Sequence, residues 1–436
     1  MFEEKKLKYE LRKTLLQKVP SQLKLNVQFI DTKHKSLFES QGYFDKVIKI
    51  ISNSTEISSI EFSTYLLYTE QKDYEGFRFY KDFERKLLKS LMLIEDSIEF
   101  KNNTIKPLFV GSNLPRSFIE KYGVSISLCL ANKCFDLQEA DWYGIPELSG
   151  RFGRRTLDFD IAATKEHYVQ IESKGTTFTK SNKVNKKKIY QHKTSILKKK
   201  ESYLKDDTQG QDPITKDVLL GIIAILDKRD DSNALNYLVD PPALRINMAP
   251  LKYKLLSRLS FYYSLLYEIS SRSRIIPLLA NRINVLYKLD NFQSLSGASL
   301  VSSLEKGDVI KPGMFNNRAI IRGKSYKNSY DNYIDVIGRI YTDLSINGFI
   351  FSGVKLDIYE MLIEQNHERI INFEKPFYRS NEMALLRIKR GDYTFSLYEE
   401  FIKEFGRKRN DDYYEIELEG DFYYSKSGRV YGFITK

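Results

Sequence analysis

Short apolar stretches with the periods of strands and helices alternate along the first third of the chain. Leu23 to Ile30 alternates apolar and polar side chains, as a half-buried strand does. Ser58-Ser59-Ile60-Glu61 has the spacing of a capping box, which predicts a helix reaching about Tyr68. Asn102-Asn103 between two apolar segments predicts a hairpin turn.

A second helix over 74–95 would place two helices before that hairpin, which is the order of a winged helix-turn-helix. In that arrangement Arg78 and Arg85 would contact phosphates or bases. The alternative is an ordinary amphipathic helix packed on a hairpin.

The middle of the chain predicts a helix, a strand pair and a basic helix. Residues 115–140 are mostly helical in pattern, with Cys129 and Cys134 as buried packing residues. Residues 155–161 and 167–174 alternate strictly, and Thr164-Lys165 is a short connection between them. A helix over 183–205 would follow, with the apolar pairs Ile189/Tyr190, Ile196/Leu197 and Tyr203/Leu204 on its packed face. Two buried strands are then predicted, over 218–226 and 235–239.

Beyond Asp240-Pro241-Pro242 the pattern indicates another domain. Residues 250–290 are helical with a break at Pro277, and hairpin turns are predicted at Asn347-Gly348 and Ser427-Gly428. We therefore expect three domains: 1–112, with the winged-helix-like region; 113–242; and 243–436, a mixed α+β domain for recognition or oligomerisation.

Composition excludes several classes of protein. The 436 residues are 42% apolar and 13% aromatic, which is typical of a packed globular protein. No window approaches the length of a membrane span, and the N-terminus lacks the pattern of a secretory signal. Two cysteines cannot form a disulfide framework, and four scattered histidines offer little for histidine-based metal chemistry. These features predict a cytoplasmic protein.

Positive charge is concentrated in one segment. The chain carries a net charge of +12, and residues 151–205 contain 15 Lys and Arg against 5 Asp and Glu. Clustered cations neutralise phosphates, so this segment predicts nucleic-acid binding. The candidate contacts are Arg154, Arg155, Lys183, Lys186, Lys187, Lys188 and Lys193.

The candidate chemistry lies on the two strands before these lysines. Residues at i and i+2 of a strand share a face, so Glu172 projects with Lys174 and Asp158 with Asp160. If the strands pair as a hairpin, carboxylates and one lysine converge. Such oxygen ligands suit Mg²⁺, and the lysine could orient the attacking water or stabilise phosphorane charge. The alternative is a hairpin with a solvent-facing row of charges.

Leu157-Asp158-Phe159 followed by Ile171-Glu172-Ser173-Lys174-Gly175 resembles the PD-(D/E)XK nuclease superfamily. The resemblance covers roughly 115–240 and implies a restriction-endonuclease-like mixed sheet flanked by helices, in the order α-β-β-β-α-β. It implies that Glu172 and Asp158 are metal ligands, with Asp160 nearly as good a match, and that Lys174 is catalytic. Leu157 stands where the family often has proline. Gln191 matches a glutamine that some members carry on the next helix, and Glu120 or Glu139 could match an acid on the first helix. For these last three a surface role is the alternative.

The sequence therefore predicts a Mg²⁺-dependent DNA endonuclease, by resemblance of the restriction or phage-defence type, acting most readily on duplex. Symmetric cutting of both strands would require a homodimer, and a modification or defence protein could be a partner. The alternatives are a non-catalytic DNA-binding or scaffold protein with a degenerate nuclease core, an RNA-cleaving member, and a glycosyltransferase using Asp158-Phe159-Asp160 as a DxD motif.

Overall fold

The computed structural model describes two compact units of the chain, one up to Ser257 and one from Arg258 onward. The described residues are 20–39, 44–51, 55–68, 93–94, 96–108, 114–143, 162–179, 181–206, 218–227, 234–239, 248–269, 274–301, 318–322, 334–343, 348–390, 399, 402–403, 406–408 and 413–435.

The N-terminal unit is built on a six-stranded mixed sheet in the order β2-β1-β8-β7-β6-β5, with β6 parallel to β7 and β1 parallel to β8. Strands on both sides of residue 112 therefore share one sheet. A separate hairpin is formed by β3 and β4. The bounds are β1 Gln22–Phe29, β2 Thr55–Ser58, β3 Ile98–Lys101, β4 Thr104–Pro107, β5 Ala162–Ala163, β6 Tyr168–Thr177, β7 Val218–Leu226 and β8 Ala234–Val239.

Helices cover this sheet. They are α1 Thr32–Glu39, α2 Phe44–Ile51, α3 Ser59–Tyr68, α4 Arg116–Phe135 and α5 Asn182–Asp206, with a 3₁₀ helix over Glu139–Trp142. Helix α4 is buried on most of its circumference, as a helix in the centre of a core is. Helix α5 connects β6 to the parallel strand β7, since parallel neighbours require a crossover of this length.

Most elements predicted for this unit are confirmed. The backbone N–H of Glu61 donates to Ser58 Oγ at 3.4 Å, so half of the predicted capping box is formed at the start of α3. Asn102 and Asn103 both have positive φ, 51° and 59°, as a type I′ hairpin turn requires. Cys129 and Cys134 are buried free thiols. Of the helix predicted over 74–95 only residues 93–94 are described, and Arg78 and Arg85 lie outside the described residues, so the winged helix stays a prediction.

The C-terminal unit contains an antiparallel sheet that closes on itself, because β12 pairs with both β9 and β14. Its strands are β9 Arg318–Arg322, β10 Ile334–Asp343, β11 Gly348–Lys355, β12 Tyr378–Lys389, β13 Arg407–Lys408, β14 Tyr413–Tyr424 and β15 Arg429–Thr435. Its helices are α7 Ile275–Lys288, α8 Leu356–Glu364 and α9 His367–Asn372, with a 3₁₀ helix over Phe292–Leu295, and α6 Pro250–Ile269 spans the boundary between the units.

Both hairpins predicted here are confirmed. Strands β10 and β11 pair antiparallel up to Asp343 and Gly348, and β14 pairs with β15 through a turn in which Gly428 has a φ of 75°. Pro277 lies in the first turn of α7, where proline is tolerated, so the break in the helical pattern precedes it. No helix among the described residues is long and apolar enough to cross a membrane. The three-domain division stays a prediction.

Candidate active site

Strand β6 presents Glu172 and Lys174 on one face of the sheet. On the opposite face, Ser127 Oγ of α4 donates to Ser173 Oγ at 2.9 Å. Glu172 is level with Gly221 of β7, and Lys174 is level with Ile223. Ile223 packs with Ile196 of α5, so the face that carries Glu172 and Lys174 is the one beneath α5.

Glu172 and Lys174 form a close ion pair in which the carboxylate is fully buried. The Glu172 side chain is 0% exposed and that of Lys174 is 19% exposed, and Lys174 Nζ lies 2.6 Å from Glu172 Oε1. Burial of a carboxylate is costly unless it is paired, and a buried pair adds little to stability compared with apolar packing. Because such a pair contributes little to stability, Glu172 and Lys174 are candidates for a chemical role.

A close approach of Gly175 in β6 to Gly123 in α4 fixes the position of Lys174 along the strand relative to the helix. A Cβ at Gly175 would lie 1.9 Å from the carbonyl oxygen of Ile119, and a Cβ at Gly123 would lie 2.6 Å from the Gly175 nitrogen. Because neither position has room for a side chain, the backbones of α4 and β6 touch immediately after Lys174. This contact leaves β6 little freedom to slide beneath its helix.

Helix α5 forms the roof over the ion pair. The side-chain amide of Asn185 accepts from the N–H of Thr179 at 2.8 Å and donates to the carbonyl of Thr179 at 2.8 Å, which fixes the turn between β6 and α5. Lys188 Nζ donates to the Thr177 carbonyl at 2.9 Å. Farther along α5, Ile196 lies over Gly221, where a Cβ would come within 2.9 Å of the isoleucine methyl group.

His192 lies midway between these two anchors, four residues after Lys188 and four before Ile196, and so on the same helical face. Burial, and then the charges of Lys174 and Lys188, lower the pKa of His192 below its ordinary value. The half-buried imidazole therefore lies near Lys174 and favours its neutral form. The spacing of four residues between His192 and the buried Ile196 is the sequence signal for this half-buried position.

The predicted basic residues of α5 divide into two groups. Lys183, Lys186 and Lys187 are exposed, whereas Lys188 and Lys193 are engaged in the fold. Lys193 Nζ lies 2.5 Å from Asp31 Oδ2, in the turn after β1. Burial raises the pKa of Asp31, but hydrogen bonds from Lys193 and His34 outweigh it, so the pKa is held well below its ordinary value.

The remaining site candidates have different positions. Gln191 is exposed on α5 and does not belong to the face of the helix that covers the ion pair. Glu120 pairs with Arg116 at 2.9 Å near the start of α4, and Glu139 begins a 3₁₀ helix. The predicted packing of Tyr190 is wrong: its side chain is 69% exposed, while Ile196 carries the contact with the sheet.

The predicted hairpin partner of β6 is described only at its last two residues. Ala162 pairs with Val169 in antiparallel register, and the turn is closed by Thr164, whose N–H donates to the His167 carbonyl at 2.8 Å. Asp158, Asp160, Arg154 and Arg155 lie outside the described residues. Within the described part of the chain, no group of three or more His, Cys, Asp or Glu side chains could hold a metal ion.

The fold and this site define a mixed α/β protein with a buried glutamate–lysine pair beneath a basic crossover helix. No protein-family model, curated protein or solved structure matches the chain.

Proposed function

We propose that the N-terminal unit is a Mg²⁺-dependent nuclease that hydrolyses phosphodiester bonds in DNA. The main support is the pair of Glu172 and Lys174, with Nζ 2.6 Å from the buried carboxylate oxygen Oε1. The strand that carries this pair is followed directly by a lysine-rich helix. The order β5-β6-α5-β7, with β6 parallel to β7, supports the resemblance to the restriction-endonuclease-like core.

The donor set suits a hard cation. Glu172 supplies a buried carboxylate, and oxygen ligands are those that Mg²⁺ prefers. Asp158 and Asp160, on the chain segment leading into β5, would supply the other carboxylates. When bound, Mg²⁺ would polarise a phosphoryl oxygen and lower the pKa of a coordinated water.

Lys174 would act on the substrate side of the same site. Its side chain is partly exposed while that of Glu172 is not, so Lys174 is the member of the pair that solvent and substrate would reach first. A cation there would stabilise the charge that develops on the phosphoryl oxygens, and would orient the attacking water. The neutral form of His192 leaves this positive charge to Lys174 and Lys188.

The same ion pair supports one alternative. Lys174 Nζ lies 2.6 Å from the carboxylate that would bind the metal. A lysine that neutralises this carboxylate in place of a metal ion would also suit a core that binds DNA without cutting it. Restriction or defence biology, a homodimer for two-strand cutting, a modification or defence partner protein and an RNA substrate rest on the resemblance alone.

The test is cleavage of supercoiled plasmid and of single-stranded DNA, with Mg²⁺ and with EDTA, by the wild type, Lys174→Ala and Glu172→Gln. We expect Mg²⁺-dependent cleavage that falls by at least about 100-fold in either variant, since Lys174→Ala removes electrostatic stabilisation of the transition state and Glu172→Gln removes a carboxylate ligand of the metal. Discrete fragments would indicate a sequence-specific enzyme. Salt-sensitive binding without cleavage would favour the binding module, and the absence of both would contradict the proposal.

A further inference from the structure

We infer that the outer face of α5 binds single-stranded nucleic acid, with lysines on the phosphates and Tyr190 stacked on an unpaired base. This inference names the substrate class of the proposed nuclease and rests on that function for its biological meaning. The binding itself is carried by a separate surface and is tested separately.

The surface is defined by four exposed residues of one helical face, Lys183, Lys186, Lys187 and Tyr190, and is called the lysine–tyrosine face. At about 100° per residue these positions fall within an arc of about 100°, over about 10 Å of helix axis. The part of α5 over 182–198 contains six lysines and no acidic residue, so its charge is complementary to a phosphate backbone.

Tyr190 distinguishes this face from an ordinary solvated row of lysines. Its ring is 69% exposed, and the neighbouring Val184 is 44% exposed. Exposure of large apolar groups to water is unfavourable, whereas their contact with the flat face of a nucleobase is favourable. Base–aromatic stacking of this kind is the common device of proteins that bind single strands.

The geometry of stacking indicates whether the ligand is single-stranded or duplex nucleic acid. In a duplex both faces of each base are covered by neighbouring bases, so a tyrosine on a helix surface has no base face to contact. An unpaired strand presents such faces and can follow the helix with its phosphates on the lysines. The lysine–tyrosine face therefore fits a single strand better than a duplex.

This face lies opposite the side of α5 that covers Glu172. His192 and Ile196 point to the sheet, and Tyr190 is about 200° around the helix from His192. The two surfaces are thus separated by about one helix diameter, about 10 Å. Changes on the lysine–tyrosine face should alter affinity, whereas changes at Glu172 should alter cleavage.

The experiment is fluorescence anisotropy in EDTA with the full chain, using a labelled oligothymidylate, the matching oligouridylate and a blunt duplex of equal length. We expect Tyr190→Ala to weaken single-strand binding about tenfold and duplex binding less than twofold, and Tyr190→Phe to retain affinity because the ring is kept. Replacing the three lysines by glutamine should weaken binding of both forms and reduce the slope of log affinity against log salt by about 2. Ser195→Ala, an exposed site on the same helix, is the matched control.

Equal effects of Tyr190→Ala on single strand and duplex, or no effect on either, would overturn the stacking. Wild type that fails to bind either form at low salt would overturn the whole inference, and so would a lysine variant that binds like wild type. Failure of the nuclease proposal looks different: there the wild type binds single strands and loses affinity with Tyr190→Ala, yet cleaves no substrate in Mg²⁺.

Discussion

At the scale of single residues, Glu172 is one of the described side chains least expected from burial statistics. Carboxylates are almost never fully buried unless they are paired, and Glu172 has its lysine partner two residues away on the same strand. The pair is local in sequence, so its two members stay adjacent wherever β6 packs. What the fold adds is the exclusion of water from the carboxylate, by α5 above and β7 beside it.

We expect Lys174→Met to lower the free energy of unfolding by about 2 kcal/mol, because it leaves the buried Glu172 carboxylate without its closest cation. The double variant Glu172→Gln/Lys174→Met should lose less than the single variant, because both charges are gone. Urea unfolding followed by the fluorescence of Trp142, the single tryptophan, measures both.

The matched control is Arg116→Met, which breaks the exposed pair with Glu120 and should change the free energy of unfolding by less than about 0.5 kcal/mol. A double variant less stable than Lys174→Met would show that the pair itself stabilises the fold. The interpretation of Glu172 as a functional rather than a stabilising residue would then be wrong.

At the scale of elements, α5 has an inner face attached to the rest of the fold and an outer face exposed to solvent. Its inner face is attached at four points: Asn185 to the turn after β6, Lys188 to the end of β6, Ile196 to the sheet and Lys193 to the turn after β1. The last of these joins parts of the chain 162 residues apart. The position of the roof over Glu172 therefore depends on the N-terminal strand as well as on β6.

Lys193→Met should lower the free energy of unfolding by about 1 kcal/mol at pH 7, allowing for the partial exposure of the pair with Asp31. The pKa of Asp31 is lowered in the folded state, so the stability it contributes is present above its ordinary pKa and is lost as the pH falls through about 4 toward the folded value. The difference between variant and wild type should therefore shrink between pH 7 and pH 3.

Urea unfolding at these two pH values checks this expectation. Lys187→Met, on the exposed face of the same helix, serves as the control and should be nearly neutral at both pH values. A constant difference between Lys193→Met and wild type across the pH range would mean that the lysine stabilises α5 by packing of its stem rather than through Asp31.

At the scale of the whole molecule, the two units have separate buried cores, one around α4 and the mixed sheet and one inside the closed antiparallel sheet. The single tryptophan, Trp142, is buried in the first core. His367 is fully buried in the C-terminal unit and stacks on Phe292 with ring centroids 6.3 Å apart. The fluorescence of Trp142 therefore reports on the unfolding of the N-terminal unit, and the titration of His367 affects the stability of the C-terminal unit.

Burial, and then the charge of Arg282, lower the pKa of His367 to about 4. The unfolded state, with its histidine pKa near 6.5, binds more protons between these values, so stability is lost as the pH falls through that window. We expect the C-terminal unit to lose about 1.5 kcal/mol between pH 7 and pH 5, after allowing for solvent screening.

His367→Phe should keep the stack on Phe292 and remove this loss. Urea unfolding by far-ultraviolet circular dichroism at pH 7 and pH 5 measures it, and the fluorescence of Trp142 reports on the other unit in the same samples. A variant with the same loss between the two pH values as wild type would show that another group is responsible.

Local patterns predicted the elements well. Strands β1, β7 and β8, helix α5 and the turns at Asn102 and Gly428 follow from alternation, apolar runs and residues that tolerate positive φ. The error concerns the orientation of Tyr190 around α5. Apolar pairs seven residues apart suggested that Tyr190 packs, but a pair of adjacent residues spans about 100° of helix and only one edge can face the sheet.

The sequence by itself determined that Glu172 and Lys174 share a strand face and that a basic helix follows, because both depend only on residue order and backbone period. It also carried the resemblance that implies Asp158 as a metal ligand. Only the tertiary structure decided that Glu172 is shielded from water, that His192 lies near Lys174 and that Tyr190 faces solvent. It also placed β1 beside β8, in the sheet that carries Glu172. These outcomes depend on contacts between residues far apart in the chain, and a local pattern contains no information about which distant surface will cover a given face.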